Sequence, residues 1–256
     1  MNLARFRPHL LAALALGLTL ALFAQPPIHQ SLDYHHFADS RTLLGVPNFW
    51  NVVSNLPFLL VGLLGLAWTV KHMEKIERET RAAWLVLFGG VALVGVGSSW
   101  YHLAPSSATL VWDRLPMTLA FMALFAIVLG EHIALRLARM GLYPLLLAGV
   151  ASVLYWRSTD DLRPYALVQF LPVLLIPLIL VLYPRKGSGP VWIALACYVA
   201  AKLLEALDAR IFDALGHAIS GHSLKHVVAA GAMWALLAGL KGRRSASIQP
   251  SAPIPG

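Results

Sequence analysis

Apolar residues fall in long runs rather than in alternation: the stretches 10–23, 49–70, 82–101, 109–129, 142–155, 165–183, 191–207 and 222–240 are almost uninterrupted by charge. Runs of roughly 17 to 25 apolar residues cross a bilayer as helices, because a helix satisfies its own backbone hydrogen bonds where there is no water to do so. The pattern predicts an all-α polytopic membrane bundle with seven core transmembrane helices and an extra hydrophobic helix at the N-terminus. That leading run follows Arg5 and Arg7, as a signal peptide would, but no clean A-x-A cleavage site precedes Pro26, so a retained anchor is expected. The expected organisation is a hydrophobic segment at 1–25, a membrane domain at 26–240 and a Ser/Pro-rich disordered tail at 241–256.

The charges between the runs set an orientation. Lys71, Lys75, Arg78 and Arg81 share one loop, Arg136 and Arg139 another, Arg185 and Lys186 a third, and Lys241, Arg243 and Arg244 follow the last run. All of these lie on the side of Arg5 and Arg7, which the positive-inside rule makes cytoplasmic. Both ends of the chain are then inside, in what is expected to be a bacterial inner membrane.

Composition agrees. Of 256 residues, 58% are hydrophobic and 12% charged, about half the charge of a typical soluble domain. The net charge of +8 follows from the basic cytoplasmic loops and does not call for nucleic acid as a partner. A single cysteine, Cys197, excludes an intrachain disulfide framework and a cysteine-based metal cluster, leaving His and carboxylate as metal ligands. The pattern does not fix an oligomeric state.

Ionisable residues inside a membrane are costly, so each needs a partner or a task. Ser98 and His102 stand four apart in GSSWYH at the outer end of the third run, Asp113 begins the fourth in VWDRLP, and His222 and His226 stand four apart in GHSLKH at the start of the last. Residues four apart share a helix face. His222 and His226 can thus point at one metal, with His102 from another helix completing three nitrogens. Three protein ligands with an open position describe catalytic rather than structural zinc. Asp113 would orient or deprotonate a water, and Ser98 would donate to an oxyanion.

Plainer readings stand beside these. The paired histidines can simply bond at an interfacial helix start, and His102 can join an aromatic belt with Trp100 and Tyr101. Asp113 can pair with Arg114, and Ser98 can pack helices. His217 is a loop residue that could replace one ligand. Lys202, Glu205 and Asp208 read as a self-neutralising network or a site for a substrate amine, and Lys225 as a side chain extending outward. Asn51 and Asn55 would hold helix ends or line the site, while Asp33, His35, His36 and Asp39 read as exposed loop chemistry. A transmembrane haem protein would also use His pairs.

Ser98-x3-His102, Asp113 eleven residues after that histidine, His222-x3-His226, and NFWNVVSN at 48–55 together resemble the alkaline ceramidase family over roughly 39–240. The pattern is also similar to the wider seven-helix superfamily that includes the progestin and adiponectin receptors. The resemblance implies a zinc amidase that takes a ceramide-like lipid from the membrane and cleaves its N-acyl bond to a fatty acid and a sphingoid base. His102, His222 and His226 would be zinc ligands, Asp113 would handle the proton, and Ser98 would assist at the oxyanion. A receptor-like zinc protein without turnover, or a lipid esterase using the same site, is the alternative. Eukaryotic members carry an acidic stretch and a Glu before Phe-Trp-Asn that contribute to a calcium site. This chain has FADSRTLLG and Asn48 there, which leaves calcium doubtful.

Overall fold

The structure is a computed structural model and describes residues 6–243; Arg5 and the expected disordered tail from Arg244 onward lie outside the described residues, whereas Lys241, assigned to that tail, ends the last helix. The helices are α1 (Arg7–Phe23), α2 (Phe49–Val53), α3 (Leu56–Lys71), α4 (Arg81–Leu103), α5 (Ser107–His132), α6 (Leu135–Thr159), α7 (Arg163–Leu182), α8 (Gly189–Ala206), α9 (Asp208–Ala214) and α10 (Gly221–Lys241). Taking α2 and α3 as one span, seven helices among the described residues are long and apolar enough to cross a membrane. At 17 residues α1 is about 25 Å long, short of the ~30 Å hydrocarbon core.

Three differences from the sequence reading have local causes. The second run is broken at Ser54 and Asn55, where Pro57 opens α3 and lacks the N–H that a continuous helix would need. The fifth run was placed at 142–155, but α6 starts at Leu135, because Arg136 and Arg139 interrupt the hydropathy and not the helix. The short α9 was not foreseen.

Helices adjacent in sequence lie side by side: α3 on α4, α4 on α5 and α5 on α6, while α10 closes the bundle by packing on both α8 and α3. The core between them is built from Trp84, Phe88, Val91, Ile127, Leu236 and Leu237. Exposed apolar side chains such as Leu60, Leu93, Val96, Leu147 and Val181 cover the outside of the bundle, an apolar belt that a soluble protein would not present. The principal neighbours of α8 are α10 and α9, not α7. The α7–α8 side is therefore the loosely closed flank of the bundle.

Candidate functional site

Four backbone devices assemble one end of the bundle. Ser106 caps α5, accepting from the Thr109 amide while the Thr109 hydroxyl accepts from the Ser106 amide. Ser220 caps α10, and the Asp208 carboxylate accepts both the His222 amide at 2.6 Å and the Ala38 amide at 3.0 Å. Asn48, in a left-handed conformation ahead of α2, donates its side-chain amide to the His102 carbonyl. Gly97 lies against the Trp112 carbonyl oxygen, so close that a Cβ there would collide with it. This last contact draws α4 onto α5 beside Ser98 and Asp113.

The sequence reading brought three helices to one depth, and the structure gathers the histidines of two of them, α4 and α10. One ligand atom from each of His102, His222 and His226 lies within 4.8 Å of the others. All three side chains are buried, with ring centroids 5.0 Å apart in each pair. Bonds of about 2.0–2.1 Å to a tetrahedral zinc would put the nitrogens roughly 3.4 Å apart, so small side-chain rotations close the set. His102 Nδ1 and His222 Nε2 are buried without a hydrogen-bond partner. Buried polar atoms left unpaired cost free energy, and a shared cation would satisfy both. This donor set, neutral imidazoles without thiolate, could hold a metal ion. Rings this close leave no room for a porphyrin between them.

His226 also has an orienting partner. The Ser54 hydroxyl donates to the Asn51 carbonyl at 3.2 Å and meets His226 Nδ1 at 2.8 Å. With the hydroxyl proton given to the carbonyl, Nδ1 donates and Nε2 is left bare as a ligand atom, the tautomer that metal binding would select. Asn51 is fixed in turn by Ser223, which donates to its Oδ1 at 2.7 Å, and by its own donation to the Asp39 carbonyl. Over the cluster lies Phe37, its ring 4.7 Å from that of His102 and 4.5 Å from that of His222. His35 anchors the loop carrying Phe37, meeting the Tyr101 hydroxyl with Nδ1 and the Ser107 hydroxyl with Nε2. Burial and the nearby Arg114 charge hold the His35 pKa below its ordinary value.

Ser98 is buried, and its side chain faces the same space as that of Asp113. Both line a cavity of about 500 Å³ that also touches His226 and continues along Met117, Phe121 and Leu124 of α5, Val173 and Ile176 of α7, and Ala194 of α8. Its walls are apolar away from the histidine end.

Other expectations change. Lys225 does not extend outward: it pairs with Glu205, which also pairs with Lys202, so two cations share one carboxylate at the cavity wall. Asp208 leaves that network to cap α10. Asp39 is buried and held by Arg41 rather than exposed. His217 is exposed and paired with Asp213, apart from the cluster. Asp113 does not form an ion pair with Arg114, whose guanidinium instead donates to Gln30. Ser54, Phe37 and the capping role of Asp208 were missed, and of these only Ser54 had a sequence signal, lying inside NFWNVVSN.

A family model described as Ceramidase matches residues 45–241 of the chain, well over half of its length. No match was found among curated proteins.

Proposed function

Because this chain belongs to the ceramidase family, we propose that it is a zinc-dependent membrane amidase that hydrolyses the N-acyl bond of ceramide-like lipids to a fatty acid and a sphingoid base. The observation that carries the reading is the convergence of three buried histidines, two with unpaired nitrogens, at a cavity that Ser98 and Asp113 also line.

His102, His222 and His226 would hold the zinc, with Ser54 keeping His226 in the ligating tautomer. A zinc ion there supplies Lewis acidity, polarising the scissile carbonyl and acidifying a neighbouring water. Asp113 takes the proton of the attacking water and passes it to the amide nitrogen as the C–N bond breaks, so the amine leaves neutral. In this mechanism the one Ser98 hydroxyl proton is directed to Asp113 while that carboxylate is charged. Once Asp113 has taken a proton, the Ser98 hydroxyl is free to turn to the developing oxyanion. Phe37 keeps bulk water from the histidines.

Acyl and sphingoid chains would lie in the cavity between α5, α7, α8 and α10, reached laterally from the outer leaflet through the loosely closed α7–α8 flank. The basic loops favour Arg243 inside and Ser106 outside; a reporter inserted near Ser106 that reads as cytoplasmic would move the site to the inner leaflet. In this reading 1–25 is a retained hydrophobic segment and 26–240 the hydrolase domain. Calcium stays doubtful in it, since Arg41 occupies the Asp39 carboxylate and Asn48 stands where eukaryotic members carry a Glu.

The test is amine release from an N-acyl sphingoid lipid by purified, metal-replete protein, run beside a matched ester. Release from the amide supports the amidase, release from the ester alone replaces it with an esterase, and release from neither leaves no hydrolase.

A further inference from the structure

Arg114 sits in the first turns of α5 and is 5% exposed, in the half of the bundle that holds the histidines. Its guanidinium lies 4.1 Å from the Trp156 ring centroid, 4.6 Å from that of Tyr165 and 5.6 Å from that of Tyr34. Nη2 donates to the Gln30 side-chain oxygen at 2.6 Å, and that partner is neutral. Nη1, with two N–H groups, is buried and has no partner.

An unpaired cation in such a place is expensive unless something neutralises it. The proposed amidase chemistry does not use it, since Asp113 handles the proton and Ser98 the oxyanion. Arg114 nevertheless lines the same cavity as Ser98, Asp113 and His226, where it borders Ile28, Tyr34, Leu162 and Tyr165. The charged side chains along that cavity are Arg114, Lys202, Lys225, Asp113 and Glu205, which leaves one net positive charge before any metal is bound. A neutral polar head leaves that charge uncompensated, whereas an anionic head cancels it. The two N–H groups of Nη1 can donate to the oxygens of a phosphate, carboxylate or sulfonate in charge-assisted hydrogen bonds.

We propose that Arg114, held by its aromatic cage and Gln30, reads the polar head of the lipid and selects N-acyl lipids whose head carries an oxyanion. The inference rests on the amidase reading for the place of the scissile bond. The cation itself is fixed in place by the stacked rings, so it needs no rearrangement to meet its ligand.

Turnover is measured with ceramide, ceramide 1-phosphate and an N-acyl glycine, which separate a neutral head, a phosphate and a carboxylate. In parallel, binding of sphingosine 1-phosphate is compared with binding of sphingosine, neither of which has an amide to cleave. Wild-type protein should favour the anionic member of each comparison by about 10- to 100-fold, the worth of a charged hydrogen-bonded contact. Arg114→Gln should erase that preference in both the turnover and the binding comparison. Gln30→Glu leaves the arginine and its cage in place but gives it an internal anion, so it should also lower the preference and serves if Arg114→Gln does not fold. A preference for the neutral lipids, or a ratio unchanged by both variants, overturns the proposal and makes Arg114 a structural cation of the cage. Anion-selective binding that depends on Arg114, without turnover of any amide, would uphold the head-group site and overturn the amidase instead.

Discussion

Replacing Ser54 with alanine isolates the contact that orients His226. The substitution removes one oxygen, deletes the 2.8 Å hydrogen bond to His226 Nδ1 and leaves a buried N–H unsatisfied. An unmade hydrogen bond of this kind costs about 1–3 kcal/mol, or roughly 5- to 150-fold in an equilibrium constant at ~1.4 kcal/mol per decade. Because the N–H is fixed only while the opposite nitrogen serves as ligand, the loss should fall on metal affinity. Orienting partners of metal-bound histidines are typically worth about 10–100-fold, in the same range. The assay is zinc affinity by chelator competition for wild-type and Ser54→Ala protein, with hydrolysis then measured at saturating zinc. Affinity should drop and saturating zinc should restore most of the turnover. Equal affinity in the two proteins would refute the orienting role and return Ser54 to a helix-bend function through its bond to Asn51.

Asp113→Asn keeps the shape and removes the basicity, so zinc should stay bound while amide hydrolysis falls about 10²–10⁴-fold; normal turnover with full metal would end the proton-transfer role. Gly97→Ala drives a methyl into the Trp112 carbonyl, backbone that cannot swing aside, and should destabilise by about 1–3 kcal/mol while moving Ser98 relative to Asp113. An unchanged melting temperature with unchanged turnover would show that α4 and α5 do not approach so closely. For His35 the folded loop disfavours the protonated form, its pKa lying below the ordinary value near 6.5. The stability this gives is present above about pH 6.5 and is lost as pH falls toward the folded pKa. Hydrogen exchange over residues 31–37, corrected for its intrinsic rate, should therefore speed up between pH 7 and 5, and constant protection would contradict that coupling.

What was legible in the sequence follows from which forces act locally. The seven spans show in hydropathy because each must be apolar along its own length. The i, i+4 spacing of His222 and His226 shows because it lies within one helix, and the shared depth of His102 and Asp113 because adjacent spans turn near the same surface. Contacts made by tertiary packing left less trace. Ser54 reaches His226 only because α2 ends where α3 begins, and Phe37 covers the histidines only because His35 is tied to Tyr101 and Ser107. Lys225 was misread for the same reason: its outward course assumed no partner, and Glu205 on α8 provides one. Likewise Asp39 looked like an exposed loop carboxylate until Arg41 and the neighbouring Asn51 buried it.

The central claim is that one metal bound by three histidines drives amide hydrolysis. Zinc content and amine release should be measured on the same metal-replete preparations of wild-type and His226→Ala protein. The account predicts about one zinc per wild-type chain with release of the sphingoid amine, and both lost together in the variant. A wild-type chain that binds no metal, or a His226→Ala protein that hydrolyses the amide at the wild-type rate, would contradict it.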